Sequence, residues 1–265
     1  MNNNRIGDLI SQKERVFEDV RSKLKENVDN SFIKRLKIRP VREAENEKDI
    51  AAIIDHTILK PEATVEDVKR VAREAIKYRF ATVCVNSSYI ELASDVLQNS
   101  EVLPISVVGF PLGAMDYVSK SYEAVAAVRK GAMEIDTVIN VGRLKSNDFE
   151  YVLKDIFAVV EAVKPIPVKV IIETCLLTDE EKETASLLCV EAGAAFVKTS
   201  TGFSTGGAKE DDIKLIRKVV GEKCKIKASG GIKTLSDLKK MVEAGADRIG
   251  SSQSVKIVEE LKNLV

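Results

Sequence analysis

The chain holds a single histidine, His56. A Ser-His triad could therefore be built in one place only, and a multi-histidine metal site not at all. The cysteines Cys84, Cys175, Cys189 and Cys224 fall in apolar segments without C-x-x-C spacing. This argues against a zinc site or a thioredoxin-type motif and for reduced, partly buried thiols. Charge of one sign is missing too, since 41 basic and 41 acidic side chains cancel. With no separate basic stripe, nucleic acid is not an expected partner. No run reaches the roughly 18 apolar residues of a membrane span. The opening MNNNRIGDLI also lacks a positive region followed by an apolar one. The expectation is a cytoplasmic protein that works on small molecules through lysine, carboxylate and backbone groups.

What is present is a composition of 45% hydrophobic and 31% charged residues over 265 positions. That is a globular composition, and α/β barrels typically occupy about 250 residues as one unit. From residue 50 onward, short β-branched runs alternate with segments of helical period, which predicts βαβ units and a parallel sheet. Strand-like runs occur at Ala51–Asp55, Thr82–Val85, Ile105–Val108, Ile135–Asn140, Val168–Glu173, Phe196–Ser200, Lys225–Ser229 and Asp247–Ser251. Helical patterns follow most of them, at Val65–Tyr78, Tyr117–Lys130, Tyr151–Val163, Asp179–Ala192 and Leu235–Ala244. Gly131, Gly193 and Gly245 are C-cap signals just before the next run. Eight such repeats, with no G-x-G-x-x-G after the first, predict a TIM (β/α)8 barrel over residues 50–265. Residues 1–49 form an N-terminal helical extension in which Val16, Val20, Leu24 and Val28 make an apolar stripe. That arm is either a dimerisation or regulatory element or, the favoured reading, a helix that packs on or merely precedes the barrel.

Catalytic residues of such barrels sit at the C-terminal ends of the strands. Charged residues inside strands need a reason, because an unpaired buried charge costs several kcal/mol. Asp136, Lys198 and Lys227 each interrupt a largely apolar run. If both lysines face inward, repulsion and desolvation lower a lysine pKa and yield a neutral amine, a nucleophile toward carbonyls. Asp136 then offsets the remaining charge and shuttles protons. Lys169 and Arg248 lie near the starts of their runs and are read as structural. After the last two runs come Ser229-Gly230-Gly231-Ile232 and Gly250-Ser251-Ser252, where this fold usually cradles phosphate. Asp55-His56-Thr57 offers hydrogen bonds at the mouth or a strand-to-loop cap, and Cys84 either reacts or packs.

Six stretches carry a family resemblance: Asp55–Pro61 (DHTILKP), Val83–Asn86 (VCVN), Val108–Gly113 (VGFPLG), Glu134–Asn140 (EIDTVIN), Val197–Phe203 (VKTSTGF) and Lys227–Ile232 (KASGGI). In this order and at these separations the chain, from about residue 50 to 258, resembles the deoxyribose-phosphate aldolases. The resemblance implies reversible cleavage of 2-deoxy-D-ribose 5-phosphate to D-glyceraldehyde 3-phosphate and acetaldehyde, in deoxyribose catabolism. It also implies no metal or organic cofactor, and a homodimer or homotetramer. By position, Lys198 forms the Schiff base, Asp136 relays protons and Lys227 depresses the Lys198 pKa. Gly230, Gly231 and Ser252 match phosphate-binding positions, Gly250 joins them as a candidate from the loop after the last run, and Asp55, Thr57, Cys84, Thr201 and Gly202 match pocket-lining ones. Three departures stand out. Gln253 replaces a second serine, Phe203 stands where some members place a lysine, and the end Glu260–Val265 has no terminal tyrosine. Two alternatives remain at this point: another lysine-dependent aldolase of phosphorylated sugars, and a non-catalytic phosphate-binding barrel.

Overall fold

The computed structural model describes residues 2–33, 36, 39–42 and 49–263. Eight parallel strands close into a barrel in sequence order, β1 (Ile54–Ile58), β2 (Thr82–Val85), β3 (Leu103–Val108), β4 (Glu134–Val138), β5 (Val168–Ile171), β6 (Phe196–Lys198), β7 (Lys225–Ser229) and β8 (Arg248–Ser251). Around them run α3 (Val65–Tyr78), α4 (Ile90–Leu97), α5 (Tyr117–Arg129), α6 (Val141–Lys145), α7 (Phe149–Val163), α8 (Asp179–Glu191), α9 (Glu210–Val220), α10 (Leu235–Glu243) and α11 (Ser254–Lys262). The helix starts are written locally. Thr64, Thr178 and Thr234 each build a capping box with an acidic residue three positions on, satisfying two orphan donors at once. Gly131, Gly193 and Gly245 take positive φ at the helix ends, as their positions predict.

The first strand departs from expectation. Ile50–Ile53 form a 3-10 turn, and β1 begins at Ile54, which pairs with Ile249, while Asp55 pairs with Thr82 on one side and Gly250 on the other. Ala51 and Ala52 have little β propensity, so apolarity alone does not make them a strand. His56 and Thr57 thus lie within the strand rather than at its end. At the other side of the barrel β4 stops at Val138, because Asn140 turns to cap α6 by accepting from the Arg143 N–H.

Outward-facing residues such as Val83, Ile135, Val170, Val197 and Ile249 pack with the helices in one large apolar cluster. The barrel interior is different. Its β2–β3 side holds a separate apolar cluster of Leu59, Cys84, Ile105 and Val107 against Phe110. The rest carries Asp55, Glu134, Asp136, Lys169, Lys198, Lys227 and Arg248, none more than 5% exposed.

The N-terminal extension forms α1 (Asn2–Ser11) and α2 (Lys13–Asn27). Helix α2 buries Val16, Phe17, Val20 and Leu24, and Phe17 stacks on Phe157 of α7 at 3.7 Å. Lys13 pairs with Glu191 at 2.7 Å and Arg21 with Glu161 at 3.4 Å. Burial of an apolar side chain is worth about 1.5–3 kcal/mol against at most about 1 for an exposed ion pair, so the apolar stripe does most of the docking. The arm packs on the barrel through α7. Its junction at residues 43–48 and the terminal Leu264-Val265 lie outside the described residues.

Candidate active site

Three strands bring the predicted trio together. Asp136 is fully buried, and its Oδ2 accepts from Lys198 Nζ at 2.8 Å and from Lys227 Nζ at 2.7 Å. The register places Lys198 directly beside Lys227 across the β6–β7 pairing. The two lysines are not equivalent. Lys227 reaches a second carboxylate, Asp55 Oδ2 at 2.5 Å, whereas Lys198 has Asp136 alone. Burial acts against both ammonium groups, but two carboxylates outweigh it for Lys227 and hold its pKa above the ordinary lysine value. For Lys198, burial dominates over Asp136, the neighbouring Lys227 charge adds to it, and the pKa is lowered. Lys227 is therefore the more firmly held cation, and Lys198 gives up its proton the more readily of the two.

Asp136 and Asp55 are both anions. Burial opposes their ionisation, yet the surrounding lysines, and Arg248 in the case of Asp55, hold both carboxyls below the ordinary range. Asp55 also accepts from Arg248 at 2.8 Å and from the Thr82 hydroxyl at 2.7 Å. It lies beneath the cavity rather than in its wall, so its part is to fix Lys227. Cys84 is buried in the apolar cluster, where desolvation pushes its thiol up to about 11. Packing is what the structure assigns it.

A cavity of about 530 Å³ opens above Lys198. Its lining includes Thr57, Lys198, Thr201, Gly202, Gly230, Gly231, Gly250 and Ser252, so eight of the residues named from the sequence converge there. Gly230 and Gly231 both take positive φ, at 86° and 80°, which other residues rarely adopt, and a Cβ on Gly231 would meet nothing. Gly250 has a second duty. A Cβ there would stand 3.0 Å from Lys227 Cε, so the missing side chain is what lets Lys227 lie across the barrel. Ser252 and Gln253 precede α11, whose N-terminus adds partial positive charge at the cavity edge. The Gln253 amide is taken by the Ser251 hydroxyl. Phe203, 48% exposed, meets Phe110 edge-on at 5.4 Å and forms an aromatic lip. His56 points to α3 and bonds Glu74 at 2.9 Å.

Four residues that sequence reasoning set aside or missed belong to this neighbourhood. Lys169 reaches Asp136 Oδ1 at 3.1 Å and also pairs with Glu134. Arg248 links Asp55 to Glu134, the latter at 3.5 Å. Glu173, buried and in the left-handed region at φ 57°, accepts from the Thr201 amide and hydroxyl and so shapes the loop after Lys198. A charged residue closing the apolar run VKVIIE was the only signal for it.

A buried lysine pair on one carboxylate, beneath a cavity at the C-terminal mouth of a (β/α)8 barrel, defines an enzyme of carbonyl chemistry. The chain belongs to the DeoC/LacD aldolase family, whose description "DeoC/LacD family aldolase" matches residues 49–253. It is 55% identical over 225 residues to a deoxyribose-phosphate aldolase of Caldanaerobacter subterraneus subsp. tengcongensis, covering 84% of this chain and 97% of that one. A relative of the same name from Bacillus mycoides is 57% identical over 211 residues, 79% of this chain and 95% of the other. The deoxyribose phosphate aldolase structure from Aeropyrum pernix, described as tetrameric, superposes with a TM-score of 0.76 at 36% identity, covering 82% of this chain and 93% of that one. The protein is thus a class I aldolase, a carbon–carbon lyase.

Proposed function

We propose that the protein cleaves 2-deoxy-D-ribose 5-phosphate reversibly to D-glyceraldehyde 3-phosphate and acetaldehyde through an imine on Lys198. The single observation that carries this reading is the unequal lysine pair, in which Lys227 has two carboxylates and Lys198 one. The neutral Lys198 amine adds to the aldehyde carbon of the open-chain sugar; the hydroxyl of the resulting carbinolamine takes up a proton and leaves as water, so that a protonated imine remains. That cation is the electron sink. The C2–C3 bond breaks, its electron pair moves into an enamine, and the proton of the C3 hydroxyl leaves as glyceraldehyde 3-phosphate forms. Protonation of the enamine at C2 and hydrolysis return acetaldehyde and the free amine.

Asp136 touches the Lys198 nitrogen, and it serves as the relay for the protons of imine formation and hydrolysis and as the counter-charge of the imine. Lys227 stays charged and keeps Lys198 neutral between turnovers. Gly230, Gly231 and Ser252, with the N-terminus of α11, hold the phosphate, while Thr57, Thr201 and Gly202 line the sugar's path. The step needs neither metal nor organic cofactor, since the imine supplies the electrophile. Two further readings go with this: residues 50–265 act as the catalytic unit with residues 1–49 as its docked extension, and the chain works in the cytoplasm as a homo-oligomer.

The test is borohydride reduction in the presence of acetaldehyde followed by peptide mass spectrometry, together with product analysis on 2-deoxyribose 5-phosphate. An ethyl group on Lys198 and loss of all turnover in Lys198→Ala are expected. Adducts scattered over surface lysines, or a Lys198→Ala variant that keeps most of its activity, would end the assignment.

A further inference from the structure

The charged groups of the barrel interior close on themselves. Starting at Glu134, ion pairs run to Lys169, from Lys169 to Asp136 at 3.1 Å, from Asp136 to Lys227 at 2.7 Å and from Lys227 to Asp55 at 2.5 Å. They continue from Asp55 to Arg248 at 2.8 Å and from Arg248 back to Glu134 at 3.5 Å. Three carboxylates alternate with three cations, so the ring is neutral. Lys198 hangs from Asp136 outside it.

We infer that Glu134 and Arg248, which do not touch Lys198, are positioning residues that set the charge balance of the barrel interior and so make Lys198 its one unmatched cation. The inference rests on the aldolase reading for its kinetic readout, though not for its physical content. A buried cluster tolerates charge when every charge is paired, and a fourth cation added to a balanced ring is the one that desolvation removes most easily. The other groups facing Lys198 leave that count intact. Cys84, from β2, is neutral at ordinary pH. Glu173, after β5, spends its carboxylate on the Thr201 amide and hydroxyl. Lys225, at the opposite end of the barrel, is exposed.

Lys198, Lys227 and Arg248 are register partners across β6, β7 and β8. Arg248 is therefore two strand spacings, about 10 Å, from Lys198. At an effective dielectric of about 20, a unit charge at that distance moves a titration by roughly one pH unit. Losing Arg248 leaves the ring net negative and favours the Lys198 ammonium. Losing Glu134 leaves it net positive and favours the amine.

The experiment measures the pH dependence of kcat/KM, and separately the pH dependence of reductive methylation at Lys198 by formaldehyde and cyanoborohydride, read by peptide mass spectrometry. Arg248→Met is expected to move the midpoint alkaline by roughly one unit and Glu134→Gln to move it acid by a similar amount. The double variant, neutral again, returns toward the wild-type midpoint, and Arg248→Lys stays there whatever happens to its amplitude. A purely structural role would change amplitude and melting temperature without shifts of opposite sign. Should the single variants fail to fold, the double variant and Arg248→Lys still decide, since a displaced midpoint in either overturns the inference. Unmoved or same-sign midpoints in the single variants overturn it as well. Methylation does not require turnover, so a wild type inactive on the sugar phosphate counts against the proposed substrate and leaves the ring to be judged by methylation alone.

Discussion

Replacing Lys227 by Met tests the division of labour between the two lysines most directly. Both Nζ atoms bond the same oxygen, Asp136 Oδ2, at 2.7 and 2.8 Å. They therefore stand roughly 5 Å apart, and at an effective dielectric of about 20 two unit charges at that separation repel by about 3.3 kcal/mol, or about 2.4 pKa units. Without Lys227 that repulsion disappears, and Asp136 gives its Oδ2 to Lys198 alone, so the Lys198 ammonium is favoured twice over. The rising limb of the kcat/KM profile should move alkaline by about two units, and activity near neutral pH should fall about 100-fold while recovering at high pH. Asp55 loses a partner but keeps Arg248 and Thr82. Opening a buried pair of this kind costs about 3–5 kcal/mol, so the folded fraction must be checked by circular dichroism at each pH. Lys227→Arg, which keeps the charge, should keep the midpoint. A Lys227→Met enzyme with an unmoved limb, or one shifted acid, refutes the electrostatic role and leaves Lys227 a packing residue.

The remaining predictions concern stability. Lys120, fully buried, donates to Val138 C=O at 2.8 Å and to Asp155 at 2.7 Å, while burial pushes the Asp155 carboxyl up to about 6. Lys120→Met should cost about 3–5 kcal/mol in urea melts and Lys120→Met/Asp155→Leu much less, because it is the unpaired charge that is expensive. A double variant no better than the single would contradict this. His56 is held below its usual pKa by burial, so the unfolded chain takes up a proton that the folded chain resists. Its stabilising effect is full above the unfolded value of about 6.5 and is lost as the pH falls from there through the lower folded value. Thermal melts should show wild type losing stability relative to His56→Gln on acidification from about pH 7.5 to 5.5. Parallel curves for the two proteins would sink the argument.

Most of the barrel was legible because its signals are local. Alternation of short β-branched runs with amphipathic stretches, closed by Gly131, Gly193 and Gly245, places the units without any knowledge of what lies opposite. The first strand was displaced because Ala51-Ala52-Ile53 is apolar like a strand, and only its partners start the pairing at Ile54, opposite Ile249, and Asp55, opposite Thr82 and Gly250. The trio proposed as catalytic, Asp136, Lys198 and Lys227, stood out as charges in apolar runs. Lys169 and Arg248 carried the same signal but were judged by position along the strand. The β4–β5 register sets Lys169 beside Asp136 and the long side chain of Arg248 reaches Asp55 on β1, and local sequence holds no record of either pairing. Glu173 was missed for the same reason, since its partner Thr201 arrives from the next strand's loop.

The barrel interior also explains why two nucleophiles can share it without competing. Cys84 and Lys198 face the same space, and burial is the largest influence on each. Desolvation favours whichever form is neutral. For an amine the neutral form is the nucleophile, so burial activates Lys198. For a thiol the neutral form is the inert one, so the same burial, carrying Cys84 up to about 11, silences it. The charged ring acts on both groups in opposing directions, Asp136 and Asp55 raising the thiol against Lys227, and Lys227 lowering the amine against Asp136, so that burial decides each. In the proposed mechanism, selectivity for imine over thiohemiacetal formation follows from where the two groups sit: the thiol on the dry β2–β3 side and the amine at the edge of a balanced charge cluster. Opening that dry side to water would cost the enzyme at both residues, with a more protonated lysine and a more reactive cysteine beside the same aldehyde.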